Sequence, residues 1–240
     1  GRFYTLDNVQ VVEAEEDRSV NGKGLQVFGT VTKTPVATGA DLVAYSGFSA
    51  SNYLQQPYNS DLDWGTSDFI IMGWEKHQAG QQTLMNIGDI GSNNSFDLRV
   101  DNNVYNLGYL GVSNSFASTN SITPSAPSGV WNHVAAVHTG GLLHLYVNGV
   151  HSGSWTDSNI NWTTHWTNRQ VIIGLRGELS TPAYATSMAL WRISATAPTA
   201  EQIAKIYNDE KHLFQENAKA TLYGTSNAVT ALAYDDDTEL

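Results

Sequence analysis

Apolar residues along this chain fall mostly into short runs and alternations of strand length. Phe96, Leu98 and Val100 alternate with Asp97 and Arg99, which predicts a strand with the first three inward and the two charged residues on a wet face. Phe69-Ile70-Ile71-Met72-Gly73-Trp74 is apolar at both parities and reads as a strand covered on both sides. Thr83 to Ile87, Val171-Ile172-Ile173-Gly174 and Met188-Ala189-Leu190-Trp191-Arg192-Ile193 read as further buried strands.

Trp131 to His138 passes through Thr139-Gly140-Gly141 into Leu142 to Val147, and Asn148-Gly149 then turns the chain into Val150. Asn and Gly both tolerate the positive φ of a type I′ turn, so this is a strong hairpin signal. Two linked antiparallel turns in so short a span do not fit a doubly wound α/β protein. Thr199-Ala200-Glu201-Gln202 is a capping box with Pro198 just ahead. Ile203, Ile206, Tyr207, Glu210 and Phe214 follow at helical spacing, predicting one amphipathic helix from about Ala200 to Phe214.

Three segments follow from this pass. Residues 1–47 alternate short apolar runs (Val9 to Val12, Leu25 to Phe28, Leu42 to Tyr45) with turns, and form either a separate unit or the first strands of a sandwich. Residues 48–215 are the sandwich with its closing helix, interrupted by a Ser-, Thr-, Asn- and Pro-rich excursion from Val112 to Gly129. Residues 216–240 read as the opening of a further element or an extension. The last residues, TALAYDDDTEL, stop just after a strand-like pattern, so the chain reads as a piece of something longer.

Composition then removes several function classes. The 240 residues carry 12 Lys and Arg against 23 Asp and Glu, a net charge of −11, and no basic stripe, which argues against nucleic acid as a partner. With no cysteine there are no disulfides, thiolate zinc sites or cysteine nucleophiles. No apolar run approaches the roughly 20 residues of a membrane-spanning helix. Seven tryptophans and 41% apolar residues supply a substantial core.

The order Trp131-Asn132-His133-Val134-Ala135, then Leu145-Tyr146-Val147-Asn148-Gly149, resembles the signature of the concanavalin A-like sandwiches, in particular the laminin-G-like and pentraxin-like jelly rolls. Asp68 to Trp74 upstream, and Ile172-Ile173-Gly174, Leu190 to Ile193 and Gln202-Ile203 to Tyr207 downstream, extend the resemblance over most of the middle of the chain. It implies an all-β jelly-roll sandwich of two antiparallel sheets with one short C-terminal helix. It also implies a non-catalytic module that binds a glycan or a cell-surface receptor, with Ca2+ as an optional ligand. Asp17-Arg18-Ser19, Leu42 to Ser46 and Thr230 to Asp235 resemble sequence flanking such modules in bacteriophage tail-fibre and other virion proteins. That second resemblance implies a virion or extracellular surface location and assembly into a homo-oligomer or with other virion subunits.

Two segments carry the candidate sites. The run from Trp155 to Trp166, with Asp157, Asn159, Asn161 and Trp162, mixes aromatic platforms with amide and carboxylate groups as a sugar site requires. Against this stand the readings that its tryptophans cover the sandwich edge as core or meet a sister subunit. Asp89, Asn93 and Asn94 form the richest oxygen cluster, with Asp61 and Asp63 as spatial candidates, and read either as a calcium loop or as a turn held by Asx hydrogen bonds.

His133, His138, His144 and His151 suggest zinc at first sight. Strand parity places His138 with Val134 and Ala136 on one face, and puts His133 and His144 on the surface of the sheet as candidate cross-strand neighbours. Glycan-cleaving relatives of this fold would need two carboxylates sharing a cleft, presented as alternating acids on one strand. Glu75 stands alone after Trp74 and Glu178 sits in a turn, so an enzyme is not expected.

Overall fold

The computed structural model describes residues 14–15, 22–88, 95–110, 125–156 and 170–216. The strands are β1 (Ala14–Glu15), β2 (Leu25–Phe28), β3 (Thr32–Pro35), β4 (Val43–Ser46), β5 (Tyr53–Gln56), β6 (Phe69–His77) and β7 (Gln81–Gly88). They continue as β8 (Ser95–Asp101), β9 (Val104–Leu110), β10 (Asn132–Thr139), β11 (Leu142–Val147), β12 (Val150–Thr156), β13 (Gln170–Ile173) and β14 (Thr186–Ser194), followed by α1 (Ala200–Glu210). One sheet runs β1-β2-β5-β13-β7-β8-β9 and the other β12-β11-β10-β6-β14-β4-β3, all pairs being antiparallel. We call them the first and second sheets. The strands β2 to β4, from the first part of the chain, are thus members of both sheets.

Alternation decides what lies between the layers. Phe69, Ile71, Leu84, Met85, Ile87, Phe96, Leu98, Val100, Val134, Ala136, Leu143, Leu145, Val171 and Ile173 form the inter-sheet core, each at most 5% exposed. The hairpin at Asn148-Gly149 has φ of 50° and 78°, the type I′ signature expected of that pair. The turn is doubly tied, because the Asn148 backbone N–H donates to the His133 carbonyl while the His133 N–H donates to Asn148 Oδ1 at 2.9 Å.

The capping box at Thr199 is present in both directions, with the Thr199 N–H donating to Gln202 Oε1 at 2.8 Å and the Gln202 N–H to Thr199 Oγ1 at 3.3 Å. The α-helix is shorter than its apolar spacing predicts: it ends at Glu210, and Lys211–Phe214 tightens into a 3-10 turn. The helix and turn lie on the outer face of the second sheet. There Ile203 packs with Ile70, Met72, Ala135, Val137 and Tyr146, and Phe214 packs with Trp74, Ala44 and Ala189. Trp74 is the anchor, stacked on Phe214 at 4.3 Å between ring centres and donating its indole N–H to Glu210 Oε2 at 2.8 Å. Arg192 of β14 holds the same carboxylate, donating from Nη2 to Glu210 Oε1.

That cover corrects the reading of His133. It does face away from the core, but the helix lies over it, so it is fully buried between Trp74 and Tyr207 rather than on the surface. Nor is His144 its cross-strand neighbour, since His144 pairs with Val137 and its ring lies 3.2 Å from His151. The reading of Asp97 is corrected for a similar reason. It points outward between Phe96 and Leu98, yet has no exposed surface, because the turn following β13 brings Arg176 across it.

The strands give the sandwich two distinct ends. At one, the loop end, β5, β7 and β9 finish while β6, β8 and β13 begin. At the other, the closed end, β6 finishes at His77, β8 turns into β9 through Asn102-Asn103, and β11 turns into β12 through Asn148-Gly149.

Candidate functional site

The loop end gathers both segments that the sequence singles out. Gly88, the last residue of β7, lies in register with Ser95 of β8 on one side and Gln170 of β13 on the other. Residues 89–94 therefore leave and re-enter the first sheet at the same place where residues 157–169 rejoin it. Thr156, which precedes residue 157, lies at the edge of the second sheet opposite Leu142. Ser95 is also in register with Leu110, from which residues 111–124 depart.

Among the expected ligand-binding residues, Trp155 is placed. It lies in β12 rather than in a loop, paired with Leu143, half-buried and packed against the inter-sheet core at the open edge of the second sheet. Asp157, Asn159, Asn161, Trp162 and Trp166 lie outside the described residues, as do Asp89, Asn93 and Asn94 of the expected metal loop. Asp61 and Asp63 have local partners. Asn59 caps the short 3-10 turn at Ser60–Leu62, Asp61 accepts from Lys23 Nζ at 2.6 Å, and Asp63 accepts from the Tyr58 hydroxyl at 2.8 Å. Among the described residues no three His, Asp or Glu side chains converge in a way that could hold a metal ion.

Just inside the loop end, the outer face of the first sheet carries a buried charged cluster that sequence reasoning missed. Arg176 Nε donates to Asp97 Oδ2 at 2.7 Å, Arg176 Nη1 meets Glu178 Oε1 at 2.9 Å, and Asn86 Nδ2 donates to Asp97 Oδ1. Burial raises the Asp97 carboxyl, and the charge of Arg176 with the Asn86 hydrogen bond acts against that rise. Burial likewise lowers the neighbouring Arg99 guanidinium, with the Arg176 charge acting in the same direction. Asp97 and Asn86 stand in direct register, and the i, i+2 spacing of Asp97 from Ser95 puts all three polar residues on one face. That parity was readable in sequence; the Arg176 partner, which arrives from a distant turn, was not.

A second polar group sits at the closed end, between the sheets. Glu75 is fully buried. It accepts from the Tyr105 hydroxyl and, at 3.3 Å, from Asn132 Nδ2, while its other oxygen lies 2.8 Å from His77 Nδ1. Burial lowers the His77 imidazole, but the hydrogen bond and charge of Glu75 outweigh it and leave the group above its ordinary value. The arrangement has one carboxylate and is fully buried, so it lacks the paired acids of a glycoside-cleaving cleft and forms a core network in which only His77 Nε2 has no hydrogen-bond partner among the described residues.

Two antiparallel sheets in these strand orders define a jelly-roll sandwich. The chain belongs to the concanavalin A-like lectin/glucanases superfamily, whose laminin-G-like sequence model matches residues 48–204. Among solved structures it is similar to the binding domain of botulinum neurotoxin serotype G, at a TM-score of 0.61 and 12% identity over 81% of this chain and 48% of that one. It is similar also to the binding domain of Paraclostridial Mosquitocidal Protein 1, at 0.61 and 16% identity over 81% and 49%. The botulinum neurotoxin serotype D binding domain gives 0.59 and 13% identity over 83% and 51%. At these identities the likeness is one of fold, and the chain spans about half the length of each of these structures. No curated protein sequence matches the chain. Among the described residues no helix is long and apolar enough to cross a membrane.

Proposed function

We propose that the protein is a non-catalytic binding module that recognises a glycan or a glycan-bearing cell-surface receptor at the loop end of the sandwich. The observation that carries this reading is the meeting of two connections on neighbouring strands: Gly88, Ser95 and Gln170 stand side by side in register. This arrangement supports a single polar and aromatic surface built from the Asp89–Asn94 and Asp157–Trp166 segments, with Trp155 at its base. The solved structures of the same fold are described as binding domains, one as a receptor binding domain and one in complex with SialylT, which is in keeping with recognition. Within the proposal, Asp89, Asn93 and Asn94 hold Ca2+, an ion that takes six to eight oxygens in a flexible cage. The finer setting is a virion fibre or other extracellular surface protein, in which several copies of a weak site gain by avidity; its support is the pattern of the flanking sequence.

The test is a glycan array probed with the purified chain in calcium and in chelator. Saturable binding that falls at least tenfold in Trp162→Ala, and in Asp89→Asn only when calcium is present, is the expected result. Absence of binding in both conditions overturns the reading. A purely structural role is the second reading, favoured by the packing of Trp155 on the core. It predicts stable self-association without glycan binding.

A further inference from the structure

On the outer face of the second sheet, beside the patch that α1 covers, two histidines from adjacent strands face one another. His144 Nδ1 of β11 lies 3.2 Å from His151 Nε2 of β12, with ring centres 5.3 Å apart. Leu143 and Leu145 point into the inter-sheet core, so His144 and Tyr146 point out. Tyr146 stands in register with His151, and Ser152, which follows, has no residue opposite it. A bulge of this kind re-aims a neighbouring side chain.

Both rings are held before any ligand arrives. His144 lies within β11, in register with Val137 of β10 and Ser154 of β12, and is half-buried. His151 is exposed, and its ring meets that of Tyr146 edge-on with 5.0 Å between centres. Tyr146 is in turn fixed by its packing with Val137 of β10 and Ile203 of α1. Two imidazoles placed in this way on paired strands need little further ordering to share a ligand.

Two ring nitrogens at this distance share either a hydrogen or an ion. A hydrogen bond open to water exchanges with solvent at little net gain. Nitrogens bound to one ion at about 2.0–2.1 Å lie about 2.9 Å apart in a square-planar arrangement and about 3.4 Å apart in a tetrahedral one, and the observed 3.2 Å falls between. A small rotation about the Cβ–Cγ bonds turns both lone pairs onto the ion. The other nitrogen of each ring then carries the hydrogen, so two neutral imidazoles bind without losing a proton. By contrast His77, His133 and His138 are buried, out of reach of an ion from solvent.

We infer that His144 and His151 form a two-imidazole site for a divalent transition-metal ion, Cu2+ above Ni2+ and Zn2+, with water in the remaining positions. Imidazole suits these ions and affinity peaks at Cu2+, whereas Ca2+ takes oxygen ligands. The net charge of −11 favours a cation. Among the described residues no third His, Asp or Glu completes the set, so the site is an open one whose ion keeps exchangeable positions. It depends neither on glycan recognition at the loop end nor on Ca2+ there.

The test is calorimetric titration of the tag-free full chain with CuCl2 in a weakly coordinating buffer, paired with spin-echo EPR, which counts bound imidazoles. One Cu2+ per chain with two imidazoles is expected. His144→Gln and His151→Gln should each weaken binding at least about tenfold and leave one imidazole in the spectrum, because the second ligand, already held in place, binds intramolecularly. His212→Gln, in the 3-10 turn after α1, should change nothing. Zn2+ should compete for the site more weakly than Cu2+ binds, and a large excess of Ca2+ not at all. His151 occupies an exposed position on the edge strand, so its variant decides the matter even where His144→Gln unfolds. Absence of saturable binding, a single imidazole in the unsubstituted chain, or undiminished affinity in His151→Gln overturns the inference.

Discussion

The two ends of the sandwich treat polar residues in different ways. At the closed end they are drawn inside. Glu75, His77, Tyr105 and Asn132 occupy inward positions between the sheets, the last three each within hydrogen-bonding distance of the one carboxylate. At the loop end the interior holds His138, stacked on Phe69 with its Nδ1 3.0 Å from the Ser67 carbonyl, while the charged pair Asp97 and Arg176 lies on the outer face. Charge at the closed end holds the sheets together and is shut away from any ligand. At the loop end Asp97 and Arg176 are covered as well, while Lys23 and Asp61 stay open to water. Charge is thus wholly shut inside at one end and partly exposed at the other.

The largest way to break this contrast is Glu75→Ala. Removing the carboxylate strands His77 Nδ1, the Tyr105 hydroxyl and part of Asn132 in the core, and urea unfolding should show a loss of about 3–5 kcal/mol. Glycan binding by the surviving folded fraction should be unchanged. A loss below about 1 kcal/mol would mean that the network is not what closes that end.

Next in size is the response to acid through His133. Its buried ring is pushed down to about 4 from an ordinary 6.5, first by burial, with the Glu210 charge opposing and the Arg192 charge assisting. The unfolded chain takes up a proton below about pH 6.5 and the folded one does not until about pH 4, so stability is full above 6.5 and falls as pH drops towards 4. The expected loss across that window is about 3 kcal/mol, at roughly 1.36 kcal/mol per unit. His133→Phe should flatten this acid limb in urea midpoints measured against pH. His77 works in the opposite sense, because its folded value is raised. Its contribution is fully present below the unfolded value near 6.5 and is lost as pH rises through the folded value, a trend that His77→Gln should remove.

The smallest effect sharpens the contrast from the other side. Lys23 and Asp61 at the loop end are 40% and 49% exposed, so their ion pair is screened by water and salt. Asp61→Asn should change stability by no more than about 0.5 kcal/mol and by less at high salt. A loss comparable to that of Glu75→Ala would abolish the distinction between the ends.

What the sequence revealed follows the range of its signals. The Asn148-Gly149 turn, the Thr199 capping box and the inward row Phe96, Leu98 and Val100 depend on neighbours within a few residues, and each stands where expected. Parity also placed Asp97 and His133 on the correct face of their strands. It could not say what covers that face, and in both cases a distant segment does: the Arg176 turn for one and α1 for the other. Continuing the parity of Phe69 and Ile71 along β6 brings Glu75 and His77 inside, where the structure has them. For the candidate site, the structure places Trp155 and the strand ends that bear both loops. Register across β13, β7 and β8 arises from pairings remote in sequence, which no local pattern encodes.

The middle of the second sheet has a consequence for how the molecule is made. Its central strand β6 is flanked by β10 and by β14, which comes from the far half of the chain, and α1 seals its outer face only after β14 is complete. During synthesis the outer face of β6, with Ile70 and Met72, therefore stays uncovered until the ribosome has released α1. Folding dominated by such distant pairings runs on about the millisecond-to-second scale. The nascent chain thus carries this apolar face early and its cover late.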